Sequence, residues 1–358
     1  MKKMLCCLLA LLLLCGAALA SDMRTGEDGY LRFGAALYCV EANGIFKLDG
    51  VYRSQICPDA LELDAFGGLI SDGAVACALG ADGAIMRVDL NSGEAGLAAQ
   101  CGDSLTAKVL VGAVGDVYFV LGDAGDSEAY ALFLVRGEDA VRIADGVRSA
   151  FQWGDQIVIE GASNEAGFGW LCSVAADGTV TAISERAYAA AASGGLLYYW
   201  EAVPAEEDAS RVASASLNRF DGSETVSIAQ TGSENFHILP FFDSFGAVIL
   251  PDMGNACAIV ELANARFTRV EPAARDLSEW QTGTAWFFDR GNGHVYSYGG
   301  ASQMLCIEWD GEDWQTCAAA DMSWLADDAL STVVDIYDGV LFCRDSRDAE
   351  HLYWSQEI

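Results

Sequence analysis

The residues of this chain that could do chemistry are mostly carboxylates. Of 358 residues, 52 are acidic, 20 are basic and three are histidine. Two short runs, GDAGDSE and PAEEDAS, contain the hard oxygen ligands that Ca²⁺ prefers. Their candidate ligands are Asp123, Asp126, Glu128, Glu206, Glu207 and Asp208. Neither run has the D-x-D-x-D-G spacing of a calcium loop, so we expect solvated acidic surface and no cofactor, with Ca²⁺ as the alternative.

Signatures of common catalytic sites are absent from the sequence. No G-x-S-x-G nucleophile motif, H-E-x-x-H zinc motif or P-loop occurs. The three histidines, His237, His294 and His351, are isolated from one another. Any chemistry would therefore depend on how the fold positions the carboxylates.

The fold is indicated by a repeated hairpin, which is clearest in ASLNRFDGSETVSIAQ (Ala215–Gln230). Here an extended segment meets a two-residue Asp221-Gly222 turn and a second extended segment returns, which is a strong hairpin signal. Equivalent turns recur every 41 to 46 residues, at Asp49-Gly50, Asn91–Gly93, Arg136-Gly137, Asp177-Gly178, Asp221-Gly222, Asn264-Ala265 and Asp310-Gly311. Such regular spacing predicts a repeat protein.

Each repeat opens with a strand, a tight turn and a second, near-continuously apolar strand. The eight turns contain Gly34, Gly73, Gly115, Gly154, Gly194, Gly246, Gly283 and Gly339. Uninterrupted apolar runs are typical of strands that are buried on both faces. Four short strands per unit of about 40–45 residues is the period of a β-propeller. We therefore predict an all-β β-propeller of about eight four-stranded blades, with seven as the alternative.

The last unit is one strand short. We expect its missing outer strand to come from the N-terminal tail, residues 21–28, or to be absent, because closing the ring removes an exposed edge.

Three segments carry a resemblance to a known repeat. LLYYWEA, HLYWSQE and IFKLDGVYRSQI resemble the bacterial relatives of the low-density-lipoprotein-receptor (YWTD-type) propeller repeat. In this chain Tyr199-Trp200 is followed by Glu201-Ala202 where the repeat has Thr-Asp. The resemblance implies a propeller fold and no catalytic residues.

The first twenty residues are typical of a secretory signal peptide. Lys2-Lys3 forms a basic region, Met4–Leu14 an apolar region, and Ala18–Ala20 an A-x-A cleavage site before Ser21. A lipoprotein anchor at Cys15 and an uncleaved apolar anchor are the alternatives. We predict a secreted, extracytoplasmic protein with no membrane span after cleavage, and a single propeller domain over residues 21–358.

The net charge of −32 excludes some partners. Such a field repels nucleic acids and anionic membrane surfaces. It favours solubility outside the cell and attracts cations.

Nine cysteines follow the predicted signal peptide, and no C-x-x-C motif is present. Most of them lie in apolar strand-like runs, where a free cysteine acts as a small hydrophobic residue. We expect buried thiols and no disulfide framework.

The predicted loops are unequal. The long connections join second to third strands, whereas third-to-fourth turns have two or three residues, so one face of the propeller is elaborated and is the expected functional face. These long connections are Gly122–Ala129, Gly161–Gly169, Ala202–Val212 and Arg290–Ala301. Their candidate ligand-binding residues are Asn164, Phe168, Trp170, Glu206, Glu207, His294, Tyr296 and Tyr298. Trp170 and Tyr296 have packing between blades as an equally good interpretation.

Three functions fit this sequence. The favoured one is a non-enzymatic propeller that binds a protein or glycan partner through the loop-rich face. The second is a glycoside hydrolase or lyase with an acidic site at the channel mouth, where Asp243 and Asp335 lie on predicted innermost strands. The third is a structural module of a cell-surface assembly.

Overall fold

The computed structural model consists almost entirely of antiparallel β-strands, which confirms the predicted all-β class. The structure describes residues 24–26, 29–57, 61–102, 105–123, 129–161, 168–206, 212–232, 241–243, 247–251, 257–261, 266–270, 285–289, 291–298, 303–312, 314–316, 320–326, 331–345, 347 and 352–358. The predicted signal peptide lies outside these ranges. No helix within them has the length and apolar character that a membrane span needs.

Residues 24–232 contain the first two sheets and a continuous ten-stranded sheet. The first sheet has β2 (Tyr30–Phe33), β3 (Ala36–Glu41), β4 (Gly44–Asp49) and β5 (Tyr52–Gln55). The second has β1 (Arg24–Gly26), β6 (Leu69–Ser71), β7 (Val75–Leu79), β8 (Ala84–Asp89) and β9 (Ala95–Gln100). The ten-stranded sheet has β10 (Ala107–Val114), β11 (Val117–Asp123), β12 (Tyr130–Arg136), β13 (Asp139–Trp153), β14 (Gln156–Gly161), β15 (Gly169–Val174), β16 (Val180–Ser193), β17 (Leu196–Pro204), β18 (Val212–Phe220) and β19 (Thr225–Gly232).

Three smaller sheets complete the described chain. One has β20 (Phe241–Asp243), β21 (Ala247–Pro251), β22 (Cys257–Glu261) and β23 (Arg266–Val270). The next has β24 (Ala285–Phe288), β25 (Val295–Tyr298), β26 (Gln303–Trp309) and β27 (Trp314–Thr316), with β28 (Ala320–Asp321) paired to β26. A short helix, α1 (Ser323–Ala326), precedes the last sheet of β29 (Ser331–Tyr337), β30 (Val340–Asp345) and β31 (Tyr353–Glu357).

Each sheet has two distinct ends. We call the end where the second strand leads into the third the loop end; in the first sheet it lies at Glu41. The opposite end, where the first strand turns into the second at Gly34, is the turn end. Third strands turn into fourth strands at this same turn end.

The predicted turns after third strands are confirmed wherever the structure describes them, but several are longer than expected. β18 ends at Phe220 and β19 begins at Thr225, so the Asp221-Gly222 turn has four residues, not two. The Asp221 carboxylate accepts the backbone N–H groups of Ser223 at 2.8 Å and Glu224 at 2.9 Å. A two-residue turn would require a left-handed backbone at both of its residues. In the four-residue turn the backbone is held instead by hydrogen bonds to the Asp221 side chain.

The second strands are buried as their sequences predict. All of β11 except Asp123 is buried, and so are the central residues of β3, β14 and β17. Their side chains pack against neighbouring sheets on both faces. One such cluster contains Ile70, Cys77, Leu79, Leu110, Tyr118 and Val120.

The middle units are joined without a connecting loop. The first half of β13 pairs with β12 as a fourth strand, and the second half pairs with β14 as a first strand. Val147 is the shared residue, opposite both Tyr130 and Gly161. β16 connects the next pair of units in the same way.

The first strand of the next-to-last sheet differs from its prediction. The sequence places TAWFF as a second strand, yet β24 (Ala285–Phe288) is the first strand of its sheet and β25 is the second. The segment Arg290–Ala301 is therefore no single loop, because it contains β25.

The described part of the N-terminal tail does not join the last sheet. Arg24–Gly26 pairs with β6, and the last sheet has three strands within the described residues, so this part of the tail does not supply the expected outer strand. The first and last sheets are linked instead by side chains. The Tyr30 hydroxyl donates to the Val334 carbonyl at 3.2 Å.

The cysteines are mostly free thiols, as expected. Those free are Cys39, Cys57, Cys77, Cys101, Cys172 and Cys343, all buried except the half-buried Cys172. Burial raises the pKa of the Cys77 and Cys343 thiols to about 12. Cys306 is the exception, because it is disulfide-bonded.

Candidate functional site

The strongest group of polar side chains at a loop end centres on Glu160. This residue lies near the end of β14 and is 7% exposed. Its Oε2 accepts a hydrogen bond from Arg148 at 2.6 Å and one from the Ser149 hydroxyl at 2.9 Å. Its Oε1 accepts the N–H of Ala190 at 2.6 Å. These three donors offset the cost of burying the carboxylate.

Two β-bulges bring these donors into place. The pairing of β13 with β14 shifts between Val147 and Ser149, which sets Arg148 outside the ladder. The pairing of β16 with β17 shifts between Tyr188 and Ala190, and the bulged Ala189 has a φ of 46°. A left-handed non-glycine residue is strained, and such residues cluster at functional sites. Here the bulge directs the next N–H toward Glu160.

Aromatic rings extend this group. The Arg148 guanidinium lies 5.8 Å from the ring centroid of Tyr188, and that ring lies 5.7 Å from Phe168. Burial raises the pKa of the Tyr188 hydroxyl above its ordinary value, so this hydroxyl stays protonated at neutral pH. We call Arg148, Ser149, Glu160, Phe168 and Tyr188 the Glu160 cluster.

The Glu160 cluster includes one residue that the sequence singles out. Phe168 is 5% exposed and packs among the side chains around Trp200, so it is a core residue that forms the buried side of the cluster. Trp170 is half-buried and lies directly over Gly161, where a Cβ atom would overlap its indole ring. Packing between strands is therefore the interpretation that fits Trp170. Glu206 is exposed beyond the end of β17, and Asn164 and Glu207 lie outside the described residues.

The structure separates the remaining predicted residues. His294 lies in the β24–β25 turn, at the turn end of its sheet, and not on a loop-end connection as the sequence predicts. Its Nε2 is 3.5 Å from Glu308, and its Nδ1 is 3.5 Å from both the Tyr296 hydroxyl and the Cys306 sulfur. Tyr298 is half-buried at the opposite end of β25.

The turn that carries His294 is tied to the last sheet. Asp289 is fully buried, and its carboxylate accepts the N–H groups of Gly291 at 2.8 Å and of Asp338 and Gly339 at 2.5 and 2.8 Å. Residues 338 and 339 form the turn between β29 and β30. This contact brings the two turns together at the turn ends of their sheets, whereas the Glu160 cluster lies at a loop end of the ten-stranded sheet.

Two other second strands carry a hydrogen-bonded carboxylate toward the loop end. Glu41 is fully buried and accepts hydrogen bonds from Arg53 at 2.5 Å and from the Tyr353 N–H at 3.2 Å. Glu201 accepts from the Ser184 hydroxyl at 2.6 Å and from the Asn218 amide at 2.7 Å. These carboxylates connect strands, and each has its donors.

The sequence reasoning missed Arg148, Glu160 and Tyr188. A signal was present, because an acidic residue follows the apolar run in ALYCVE, QIVIE and LLYYWE. The sequence does not indicate which residues donate to Glu160, because the two β-bulges change the strand register locally.

Two acidic residues lie on or near the innermost strands. Asp335 is bound to the Arg32 guanidinium at 2.6 Å, and Asp243 ends β20. β1 pairs with β6 and also lies close to β2, β10 and β13, which are the first strands of their units. The N-terminal segment thus occupies space beside four successive first strands.

No group of three or more metal-ligating side chains occurs among the residues that the structure describes. Asp123 is engaged by Lys108 at 3.3 Å, whereas Asp126, Glu128, Glu207 and Asp208 lie outside those residues. The calcium alternative therefore stays a prediction.

Comparison with known proteins gives the fold and no family. No family model matches the sequence, and no curated protein matches it. The computationally designed Ika8 protein is similar in structure, with a TM-score of 0.53 and 12% identity over 94% of this chain and 97% of that chain. Apo AztD from Citrobacter koseri has a TM-score of 0.51 and 11% identity over 82% of this chain and 86% of its own. BamB from Moraxella catarrhalis has a TM-score of 0.49 and 10% identity over 93% and 96%.

These similarities concern the fold alone. The similarity to AztD, with a TM-score above 0.5, supports a β-propeller-type fold for this chain. The resemblance to the YWTD-type repeat is matched by no family model and stays a prediction.

Proposed function

We propose that the chain is an exported β-propeller of eight units that binds a protein or glycan partner through the loop ends of its sheets. The observation that carries the proposal is the Glu160 cluster. The Arg148 side chain remains 36% exposed, while its partner Glu160 is held by two further donors. A guanidinium has five N–H donors, so Arg148 retains donors for a ligand beside the Tyr188 ring.

The eight-unit count is supported by the order of first strands. They are β2, β6, β10, the second halves of β13 and β16, β20, β24 and β29, and each lies close to the next along the chain. The hydrogen bond between Tyr30 and Val334 and the ion pair between Arg32 and Asp335 bring the eighth unit to the first.

The hydrogen bonds of the carboxylates favour a binding function over hydrolase activity. A glycosidase needs two carboxylic groups that face a substrate, one of them with a raised pKa. Glu41, Glu160 and Asp335 instead accept hydrogen bonds from arginines. β1 also lies close to first strands that a channel site would use.

The test compares two exposed glutamates at opposite ends of the ten-stranded sheet. Glu206 follows β17 at a loop end, and Glu138 lies in the β12–β13 turn at a turn end. The mature chain, residues 21–358, is tested for binding to a glycan array. In a second assay the immobilised chain is cross-linked to surface proteins of the producing cells. We expect Glu206→Arg to weaken partner binding several-fold and Glu138→Arg to leave it unchanged. The reverse order, or equal effects of both variants, would contradict the proposal.

Export is tested separately. N-terminal sequencing of the protein recovered outside the cells should begin at Ser21. A protein that keeps residues 1–20, or that stays inside the cells, contradicts the exported location.

A further inference from the structure

A cluster of chemically reactive side chains lies at the turn end of the sheet that contains β24 to β28. Cys306 of β26 is 4% exposed and is disulfide-bonded. The Nδ1 atom of His294 lies 3.5 Å from the Cys306 sulfur, and its Nε2 atom lies 3.5 Å from the Glu308 carboxylate. The Tyr296 hydroxyl is also 3.5 Å from Nδ1. We call His294, Tyr296, Cys306 and Glu308 the Cys306 cluster.

The strand register brings the Cys306 cluster together. Tyr296 and Cys306 are directly opposite each other in the β25–β26 pair, so their side chains share one face of the sheet. Glu308 follows Cys306 by two residues and therefore lies on the same face. His294 precedes Tyr296 by two residues, in the turn where the Asp289 N–H donates to the His294 carbonyl at 2.8 Å. Backbone pairing thus holds the imidazole beside the sulfur.

The imidazole is placed to stabilise a thiolate. A protonated histidine carries a proton on both ring nitrogens. In that form the Nε2 proton faces Glu308 and the Nδ1 proton faces the Cys306 sulfur. A cysteine beside a protonated histidine has a lowered thiol pKa, and such a thiol leaves faster in thiol–disulfide exchange. Cys306 is therefore favoured as the sulfur that leaves when its disulfide is attacked.

The attacking thiol has to come from outside the protein. Cys343 packs in the same core group as Cys306, but burial raises the pKa of its thiol to about 12. That thiol stays protonated at neutral pH and is a poor nucleophile. The side chains of His294 and Glu308 are 30% and 46% exposed, so the Cys306 cluster reaches the solvent at the turn end.

We propose that the disulfide of Cys306 is redox-active and exchanges with low-molecular-weight thiols, with His294 holding the Cys306 thiolate. An external thiolate attacks the sulfur that is joined to Cys306 and forms a new S–S bond. The old S–S bond breaks, and its electron pair leaves on the Cys306 sulfur. A second external thiol resolves the mixed disulfide, so two external thiols are oxidised and the disulfide of Cys306 is reduced to two thiols, which take up the protons that the external thiols release. This exchange does not involve the loop ends, so it goes beyond the proposed function.

The experiment measures how fast reduced glutathione reduces the disulfide in folded residues 21–358. Accessible free thiols are blocked first, and new thiols are then labelled and quantified in the Cys306 peptide by mass spectrometry, which also identifies the cysteine joined to Cys306. His294→Phe keeps a ring near that of Tyr296, 6.1 Å away between centroids, but removes the imidazole. It should slow reduction roughly three- to tenfold. A packing role alone predicts the opposite sign, because a loosened turn would expose the disulfide and speed its reduction.

A matched pair of variants tests the carboxylate. Glu308→Gln should slow reduction, but less than His294→Phe does, because the imidazole remains. Glu312→Gln makes the same charge change at an exposed residue of the β26–β27 turn, at the same end of the sheet, and should leave the rate unchanged. Equal melting temperatures of the variants show that the fold is intact.

Two results would overturn the inference. One is a wild-type disulfide that glutathione reduces only after the protein is denatured. The other is a His294→Phe variant that is reduced as fast as wild type or faster. Neither result involves a binding partner, so both are distinguishable from failure of the test with Glu206→Arg.

Discussion

The ten-stranded sheet and the junction between the first and last sheets hold neighbouring units together in different ways. In the ten-stranded sheet, β13 and β16 each serve two units, so backbone pairing runs from one unit into the next. At the junction no described strand is shared. Side chains connect the sheets there, through Arg32 with Asp335, Tyr30 with Val334, Glu41 with Tyr353, and Ser355 with Gly50.

This difference shows where the fold depends on particular residues. Backbone pairing tolerates most side chains, because the hydrogen bonds do not depend on residue type. A junction made of side chains depends on a few identities. Arg32 illustrates this, since its guanidinium lies 5.1 Å from the ring centroid of Tyr337 and 4.5 Å from that of Phe342 while it binds Asp335.

The largest expected effect is at the junction. Arg32→Met would leave the Asp335 carboxylate without its cation, and the two side chains are only 7% and 21% exposed. Removing one partner of a buried ion pair costs about 3–5 kcal/mol, and the lower end is expected because Asp335 is partly exposed. Denaturant unfolding of residues 21–358 measures the loss.

Two controls sharpen this prediction. The double variant Arg32→Met/Asp335→Val should recover much of the stability, because a well-packed apolar pair can replace a buried ion pair. Thiol labelling of Arg32→Met should modify Cys39, which packs in the junction with Phe342 and Tyr353, before Cys77, which packs between the second sheet and β10. Labelling of both thiols at the same rate would mean that the junction does not open separately.

A smaller effect is expected within the ten-stranded sheet. Glu160→Gln keeps the shape of the side chain but removes the charge that holds Arg148. It also places an amide NH₂ group, which is a donor, opposite one of the donors that the carboxylate accepts. Loss of hydrogen bonds to a charged group costs about 2 kcal/mol. Urea unfolding measures this loss.

The matched control is the carboxylate that ends the second strand one unit earlier. Asp123 pairs with Lys108, and their side chains are 53% and 42% exposed. Exposed ion pairs contribute about 0–1 kcal/mol, so Asp123→Asn should have little effect. Equal losses in the two variants would refute a special role for the Glu160 cluster.

The sequence is informative about the repeat because turn residues and apolar strands are local properties. It predicts the second strands β3, β7, β11, β14, β17 and β30 and the Asp-Gly turns after the third strands. It fails at β24, because AWFF is apolar enough for either a first or a second strand and the turn that follows has six residues, 289–294.

The candidate site is less predictable, for a physical reason. Glu160 and Arg148 are twelve positions apart, and Ala190 is thirty positions from Glu160. Their meeting depends on bulges at Arg148 and Ala189, which have no strong sequence mark. The sequence groups His294 with Phe168 because it predicts a loop over residues 290–301, where the structure has β25.

The smallest expected effect concerns the turns, which both regions share. Hydrogen bonds from the N–H groups of Glu224 and Ser223 lower the pKa of the Asp221 carboxyl to about 2. Because the folded pKa lies below the ordinary value of about 3.9, Asp221 stabilises the protein above that pH, and the stabilisation is lost as the pH falls toward 2. Asp221→Asn keeps a side-chain acceptor for the turn but has no charge to titrate. The melting temperature should therefore fall slightly less steeply between pH 5 and pH 2 in this variant than in wild type. Identical profiles of melting temperature against pH would mean that the turn carboxylate contributes nothing to acid sensitivity.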